Sequence, residues 1–191
     1  MPYTYGTPEW EEALKKVTQE RIATSPRPFI VFSPEWVGEW EKYLQNDAKY
    51  KAVAIKDWEN AIIIHLQKNP AFGVDQDIYV KMDLWHDGAC RSIRYLPNTA
   101  VGEPRDFVIT ASIERWLSVA RKQLDVVKGM MQGKLKLKGD LPTIVRAVKA
   151  AVRIVETVGE VGGIYPDELN PEQVEDFRKI IQDLVKEFNI T

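Results

Sequence analysis

The chain holds little that would carry out chemistry. Its 191 residues include one cysteine, Cys90. No disulfide can form within the chain, and a reducing compartment suits it. Histidine is represented only by His65 and His86, and no Gly-x-Ser-x-Gly elbow accompanies them, which argues against a serine hydrolase. The glycine patterns of phosphate-binding and dinucleotide-binding loops are missing too. The nearest run, Gly159, Gly162 and Gly163, has neither the spacing nor a preceding strand. Positive charge is not in excess: 26 Lys and Arg face 28 Asp and Glu, a net charge of −2, whereas a general nucleic-acid binder is usually basic. No apolar run approaches the roughly 20 residues of a membrane span. The start, Met1-Pro2-Tyr3-Thr4-Tyr5-Gly6, has neither the basic region nor the apolar stretch of a signal peptide. No repeat or low-complexity tract is visible. The expectation is a cytoplasmic protein with no transmembrane segment, no cofactor, no metal, no catalytic set and no nucleic-acid partner.

What remains is material for a core. Hydrophobic residues make up 45% and charged residues 28%, ordinary for a folded domain, and the length suffices for one sizeable core. Six tryptophans promise large apolar surfaces. Thr7 with Pro8 predicts a helix running to about Ala23. Ser33-Pro34-Glu35 opens a second, to about Lys49, with Trp36, Trp40, Tyr43 and Leu44 on one side. Residues 61–67 read as a strand. Asp77–His86 and Ala89–Leu96 form a hairpin around Asp87-Gly88, a strong two-residue turn signal. That register sets Trp85 against Cys90, Met82 against Ile93 and Val80 against Tyr95. Phe107–Ala111 and Lys134–Lys138 complete about five strands, mostly antiparallel, with helices on one side.

Residues 126–158 are the most informative. In Lys134-Leu135-Lys136-Leu137-Lys138 the period is two, so the leucines share one face and the lysines the other. Gly133 and Gly139 bracket the strand, Asp140 is an N-cap, and Pro142 suits a first helical turn. The helix that follows places Ile144, Val145, Val148, Ala151, Val152 and Val155 on one stripe and Arg146, Lys149 and Arg153 on the other. Such a stripe serves an ordinary amphipathic helix or the smooth wall of a lipid cavity. Met130 and Met131 are adaptable side chains that serve equally as pocket lining or core filler. The three lysines read as a solvated face, with attraction to a headgroup or an acyl-CoA phosphate as the alternative. Asp83, His86 and Cys90 carry metal-type donors, but the hairpin scatters them over both faces. His65 reads as a hydrogen-bonded structural residue, and Glu9, Glu11, Glu12 and Glu20 as a solvated helix face. Past the break at Gly162-Gly163, Asn170-Pro171 opens a helix with Val174, Phe177, Ile181, Leu184 and Phe188 on one side. It is packed on the domain, a lid, or a dimer contact.

The run Gly133-Lys-Leu-Lys-Leu-Lys-Gly-Asp140, preceded by Met130-Met131-Gln132, resembles the sterol carrier protein 2 family of lipid-transfer domains. So do the upstream strand 107–112, the helix 113–117 with Trp116, and the segment 122–127. The resemblance extends over about residues 50–158. It implies an α+β domain whose five-stranded, mostly antiparallel sheet is covered by helices, leaving a hydrophobic tunnel. The organisation expected is a helical extension over 1–50, the lipid-binding core over 51–158 and an amphipathic helix over 159–191. The peroxisomal ending of some relatives is not matched by Asn189-Ile190-Thr191. The function implied is non-enzymatic carriage of fatty acid, fatty acyl-CoA or a similar long-chain lipid, by a monomer or weak homodimer. The alternative is an accessory domain that presents acyl-CoA to a partner enzyme of lipid metabolism. With alternation deciding the faces, the expected lining is Phe107, Ile109, Trp116, Val127, Met130, Met131, Leu135, Ile144, Val148 and Val152, together with Val80, Met82 and Tyr95. Val148→Trp is then expected to fill the tunnel.

Overall fold

A computed structural model describes residues 2–84 and 87–190. Trp85 and His86, and with them the Trp85–Cys90 pairing and the Asp83–His86–Cys90 donor set, lie outside the described residues. Five strands form one open mixed sheet: β1 (Ala61–Leu66), β2 (Ile78–Asp83), β3 (Ser92–Leu96), β4 (Asp106–Ala111) and β5 (Lys136–Lys138), in the order β3-β2-β1-β4-β5. β1 and β4 pair in parallel, and the other three pairings are antiparallel. The helices are α1 (Pro8–Thr24), α2 (Pro34–Asn46), α3 (Ala48–Val53), α4 (Ile113–Ala120), α5 (Val126–Met131), α6 (Leu141–Arg146), α7 (Val148–Val161) and α8 (Pro171–Phe188).

The β2–β3 register is the one the turn signal predicts, with Met82 opposite Ile93 and Val80 opposite Tyr95. Asp87 and Gly88 both take positive φ, 57° and 72°, as a primed two-residue turn requires, although the strands proper stop at Asp83 and Ser92. The pleat sends Ile62 and Ile64 of β1, Val80 and Met82 of β2, and Phe107 and Ile109 of β4 into the main core under the helices. On the other face Ile63, Leu96 and Val108 form a small second cluster, with Tyr5, Tyr79 and Val101 packed against it.

The Lys-Leu strand is shorter than the alternation suggests. The amides of Lys134 and Leu135 both donate to the carbonyl of Gly129 (2.8 and 3.0 Å), closing the end of α5, and Gly133 turns the chain there with φ 70°. Only Lys136–Lys138 pair with β4.

The long helix expected over 141–158 is two helices. Ala147 leaves the helical region (φ −95°, ψ 16°), ending α6 and starting α7. The buried apolar side chains are Ile144, Ala147, Ala150 and Val158, while Val145, Val148 and Val152 are exposed. Arg153, expected on the solvated face, is 6% exposed. It donates to both carboxylate oxygens of Asp47 (2.7 and 3.0 Å), to both of Glu160 (2.7 and 2.8 Å) and to one of Glu156 (3.1 Å). This pairing binds α7 to the start of α3 and sets the phase of α7, which turns Ala150, Ala151, Ile154 and Val158 inward and Val148 and Val152 outward. Tyr43 also departs from its expected company with Trp36, Trp40 and Leu44. It lies at the surface, where its hydroxyl donates to Glu160.

The chain ends pack onto the same core. Phe177, Ile181, Leu184 and Phe188 of α8 are buried, and the indole N–H of Trp10 in α1 donates to the Phe188 carbonyl (3.0 Å). Residues near 30 and 164 are stitched together by Val31 N–H to Ile164 O (2.9 Å) and Ile164 N–H to Phe29 O (2.8 Å). A glycine is needed at 163, where a Cβ would stand 2.6 Å from the Phe29 carbonyl oxygen.

Candidate functional site: an apolar cavity between sheet and helices

The sheet's helix-facing side and the helix layer do not close completely on each other. They leave a cavity of about 100 Å³. Its floor is Ile62, Ile64, Met82 and Ile109 of the sheet. One wall is Trp116, Val119 and Ala120 of α4 with Val126 and Met130 of α5. The opposite wall is Ile144 of α6 and Ala151, Ile154, Val155 and Val158 of α7. Phe32 and Trp40 complete it. A second cavity of about 50 Å³ adjoins it, and Ile62, Ile144, Ala151 and Ile154 line both.

The only polar side-chain groups carried by lining residues are two indole N–H groups, and both are already used. Trp40 donates to Thr157 Oγ1 (2.9 Å) and Trp116 to the His65 carbonyl (3.0 Å). Thr157 in turn donates to the Ile154 carbonyl (2.6 Å). No titratable side chain is among the lining residues. A guest therefore finds dispersion contacts and relief from water, but no ionic or hydrogen-bonding handle on the side chains. Any polar end of that guest must stay outside the cavity, because burying it unpaired would cost several kcal/mol, roughly 2–7.

The thiol of Cys90 lies apart from this cavity. Burial pushes it up to about 12, so it is neutral and weakly nucleophilic at neutral pH. His65 is held at the other face of the sheet. Its Nδ1 and Nε2 share hydrogen bonds with Thr110 Oγ1 (2.8 Å) and Asp77 Oδ2 (3.0 Å), and its ring stacks on Tyr79 at 4.2 Å.

Of the residues expected to line a cavity, the structure brings together Met82, Ile109, Trp116, Met130 and Ile144. The others are elsewhere. Phe107 shares a face with Ile109 but sits under Trp58, ring centroids 5.9 Å apart, and against Gly139. Val127 is buried, but the phase of α5 gives the cavity Val126 and Met130. Leu135 fills the space left by Gly129, where a Cβ would be 3.1 Å from the leucine side chain. Val80 and Tyr95 are buried core, and the Tyr95 hydroxyl donates to the Phe32 carbonyl. Met131, 66% exposed, follows Met130 out of the helix face, and Val148 and Val152 point to solvent because α7 presents Ala151, Ile154, Val155 and Val158 to the cavity. Lining residues the sequence did not indicate include Ile62 and Ile64, hidden in a run of three isoleucines without alternation, Phe32 and Trp40 from before the segment that carries the resemblance, and Val158 at its very end.

A mixed sheet roofed by helices over an apolar cavity, with the indole N–H groups of its lining satisfied, is a site that can shelter apolar groups from water. Residues 41–151 match the model of the SCP-2 sterol transfer family, and the chain belongs to that family. Among solved structures, a crystal structure of sterol carrier protein 2 is 28% identical with a TM-score of 0.58, the match covering 67% of this chain and 96% of that one. The solution structure of a Thermus thermophilus protein, described as conserved, hypothetical and possibly a sterol carrier protein, is 28% identical with a TM-score of 0.60, covering 70% and 90%. No curated protein matches. Family membership implies lipid binding and transfer on a fold that is generally non-catalytic. Among the described residues no helix is long and apolar enough to cross a membrane.

Proposed function

We propose that the protein takes up the hydrocarbon tail of a long-chain lipid, such as a fatty acid or fatty acyl-CoA, in the cavity between sheet and helices and carries it without covalent chemistry. The observation that carries this reading is the lining: sixteen residues, none titratable, with both indole N–H groups already donating inside the protein. Each methylene moved from water contributes about 0.8 kcal/mol, so a chain of about sixteen carbons offers on the order of 10 kcal/mol gross. Ordering costs reduce that to ordinary micromolar binding. The headgroup would remain outside, so the tail decides affinity.

The cavities as they stand are small for such a guest. An apolar space of roughly 150 Å³ holds one benzene. A long tail must therefore join the two cavities by moving the side chains they share, Ile62, Ile144 and Ile154. These are aliphatic side chains of β1, α6 and α7 that can change rotamer without breaking a hydrogen bond.

Native mass spectrometry of the purified protein, followed by solvent extraction, tests the reading. A stoichiometric adduct that extracts as fatty acid, acyl-CoA or another long-chain lipid is expected. A clean mass that stays unchanged after incubation with long-chain fatty acid and acyl-CoA would overturn it.

A further inference from the structure

We propose that Phe32 is the stop that sets how long an apolar chain the cavity accepts, an inference that rests on the cavity holding a lipid tail. Phe32 and Trp40 reach the cavity from the part of the chain that precedes the family match at residue 41. Neither belongs to the wall shared with the second cavity. A tail can grow past Ile62, Ile144 and Ile154 into that second space, whose lining does not include Phe32.

The two aromatic residues differ in freedom. Trp40 is buried and its indole is tied to Thr157. The Phe32 ring is only partly buried and has no polar tether, and its contact with Trp36 is an edge-on one at 5.9 Å. It is therefore the wall element a guest can press against.

The backbone shows that this placement is imposed. Phe32 takes φ 75°, a left-handed conformation that is a genuine outlier for a bulky residue and that glycine would adopt freely. Such a residue persists only where its surroundings over-determine it. Here the Tyr95 hydroxyl donates to its carbonyl, the preceding amide of Val31 donates to Ile164, and the following amide of Ser33 donates to Ile30 (3.0 Å). Ser33 then caps α2 by accepting from the Trp36 amide (3.3 Å). Both flanks of the residue are pinned, so the Cα–Cβ bond is aimed at the cavity wall and the ring stands there.

The test titrates the whole protein by calorimetry with saturated fatty acids of about eight to about twenty carbons, using wild type, Phe32→Ala and Phe32→Gly. Wild-type affinity should rise about fourfold per added methylene until the tail meets the ring, then level off. Removing the ring should move that break about three carbons longer, since truncating a phenylalanine opens room for several methylenes. Phe32→Gly, whose backbone is relaxed at this φ, keeps the test valid if the alanine variant folds poorly, and near-ultraviolet circular dichroism checks both. If wild type shows a break and the folded variants keep it at the same length, Phe32 is not the stop and the lipid reading stands. If wild type binds no acid in the series, the lipid reading fails and the proposal falls with it.

Discussion

Ala151 and Val152 are neighbours in sequence with opposite surroundings. Ala151 lines both cavities, while Val152 is 40% exposed. Enlarging them separates cavity from surface within one helical turn. Ala151→Phe should fill the space under α7 and weaken uptake of a fluorescent fatty acid at least tenfold, at an overpacking cost of about 1–3 kcal/mol in stability. Val152→Phe and Val148→Trp should leave uptake within about twofold, because their side chains project into solvent. Equal losses in a titration of all three folded variants would mean that the cavity does not hold the tail. The expectation that Val148→Trp blocks a tunnel treats 141–158 as one helix, and the break at Ala147 removes its basis. Strand residues were more legible: Met82 and Ile109 follow from the pleat, whose period of two leaves each residue one of two faces. Phe107 shows the limit of that logic, since sharing a face with Ile109 does not place it in the same hole. Which stretch of the face stays uncovered is decided by Trp58, nearly fifty residues away in sequence.

At the scale of elements, the position of α7 depends on Arg153. Its guanidinium is almost fully covered and holds Asp47, 106 residues earlier, with Glu156 and Glu160 on its own helix. No periodicity in 141–158 reveals a partner that distant, so a basic residue on a polar face reads as solvated. Removing one member of a buried ion pair leaves the other unpaired. Arg153→Ala should therefore cost about 3 kcal/mol or more, measured by urea denaturation, and should loosen the cavity wall. A loss under about 1 kcal/mol would show the cluster to be solvated after all. The same cluster predicts an acid response. Hydrogen bonds from Arg153 and Tyr43 hold the Glu160 carboxyl at about 2, below its ordinary 4.5, and those from Arg153 lower Asp47 too. A depressed carboxyl favours the folded state fully above its unfolded value, and that contribution disappears as the pH falls through the folded one. Stability should be level above about pH 5 and decline from there toward pH 2, with a shallower decline in Glu160→Gln. Identical acid profiles for the two proteins, followed by tryptophan fluorescence, would remove Glu160 from the account. The β2–β3 hairpin, by contrast, was readable in register over its paired strands because its determinants, Asp87, Gly88 and the flanking alternation, are all local.

For the whole molecule, part of the cavity wall comes from segments that flank the family match and meet each other. Phe32 and Trp40 come from before the family match, Val158 from after it, and the Val31–Ile164 and Trp36–Gly162 hydrogen bonds (2.9 and 2.7 Å) lock the two segments together. Those contacts are long-range and left no trace in composition or spacing, which is why this wall was invisible where the sheet floor was not. α8 packs on α1 through Trp10 and Phe188 and contributes no lining residue, so its removal from the core should be felt in stability and not in selectivity. The assembled protein encloses an apolar space that is smaller than the tail proposed for it. A guest that enters adds contacts to the folded state that the unfolded chain cannot make. By mass action, a ligand at one hundred times its dissociation constant stabilises a protein by about 2.7 kcal/mol. For a chain of this size each kcal/mol raises the melting temperature by roughly 2–4 °C. Long-chain fatty acid at that concentration should thus raise the melting temperature by about 5–10 °C. Ala151→Phe, whose cavity is already occupied by its own ring, should show little of this rise. A scanning-calorimetry shift of the same size in both proteins would place the lipid on the outside of the molecule, against the helices instead of beneath them.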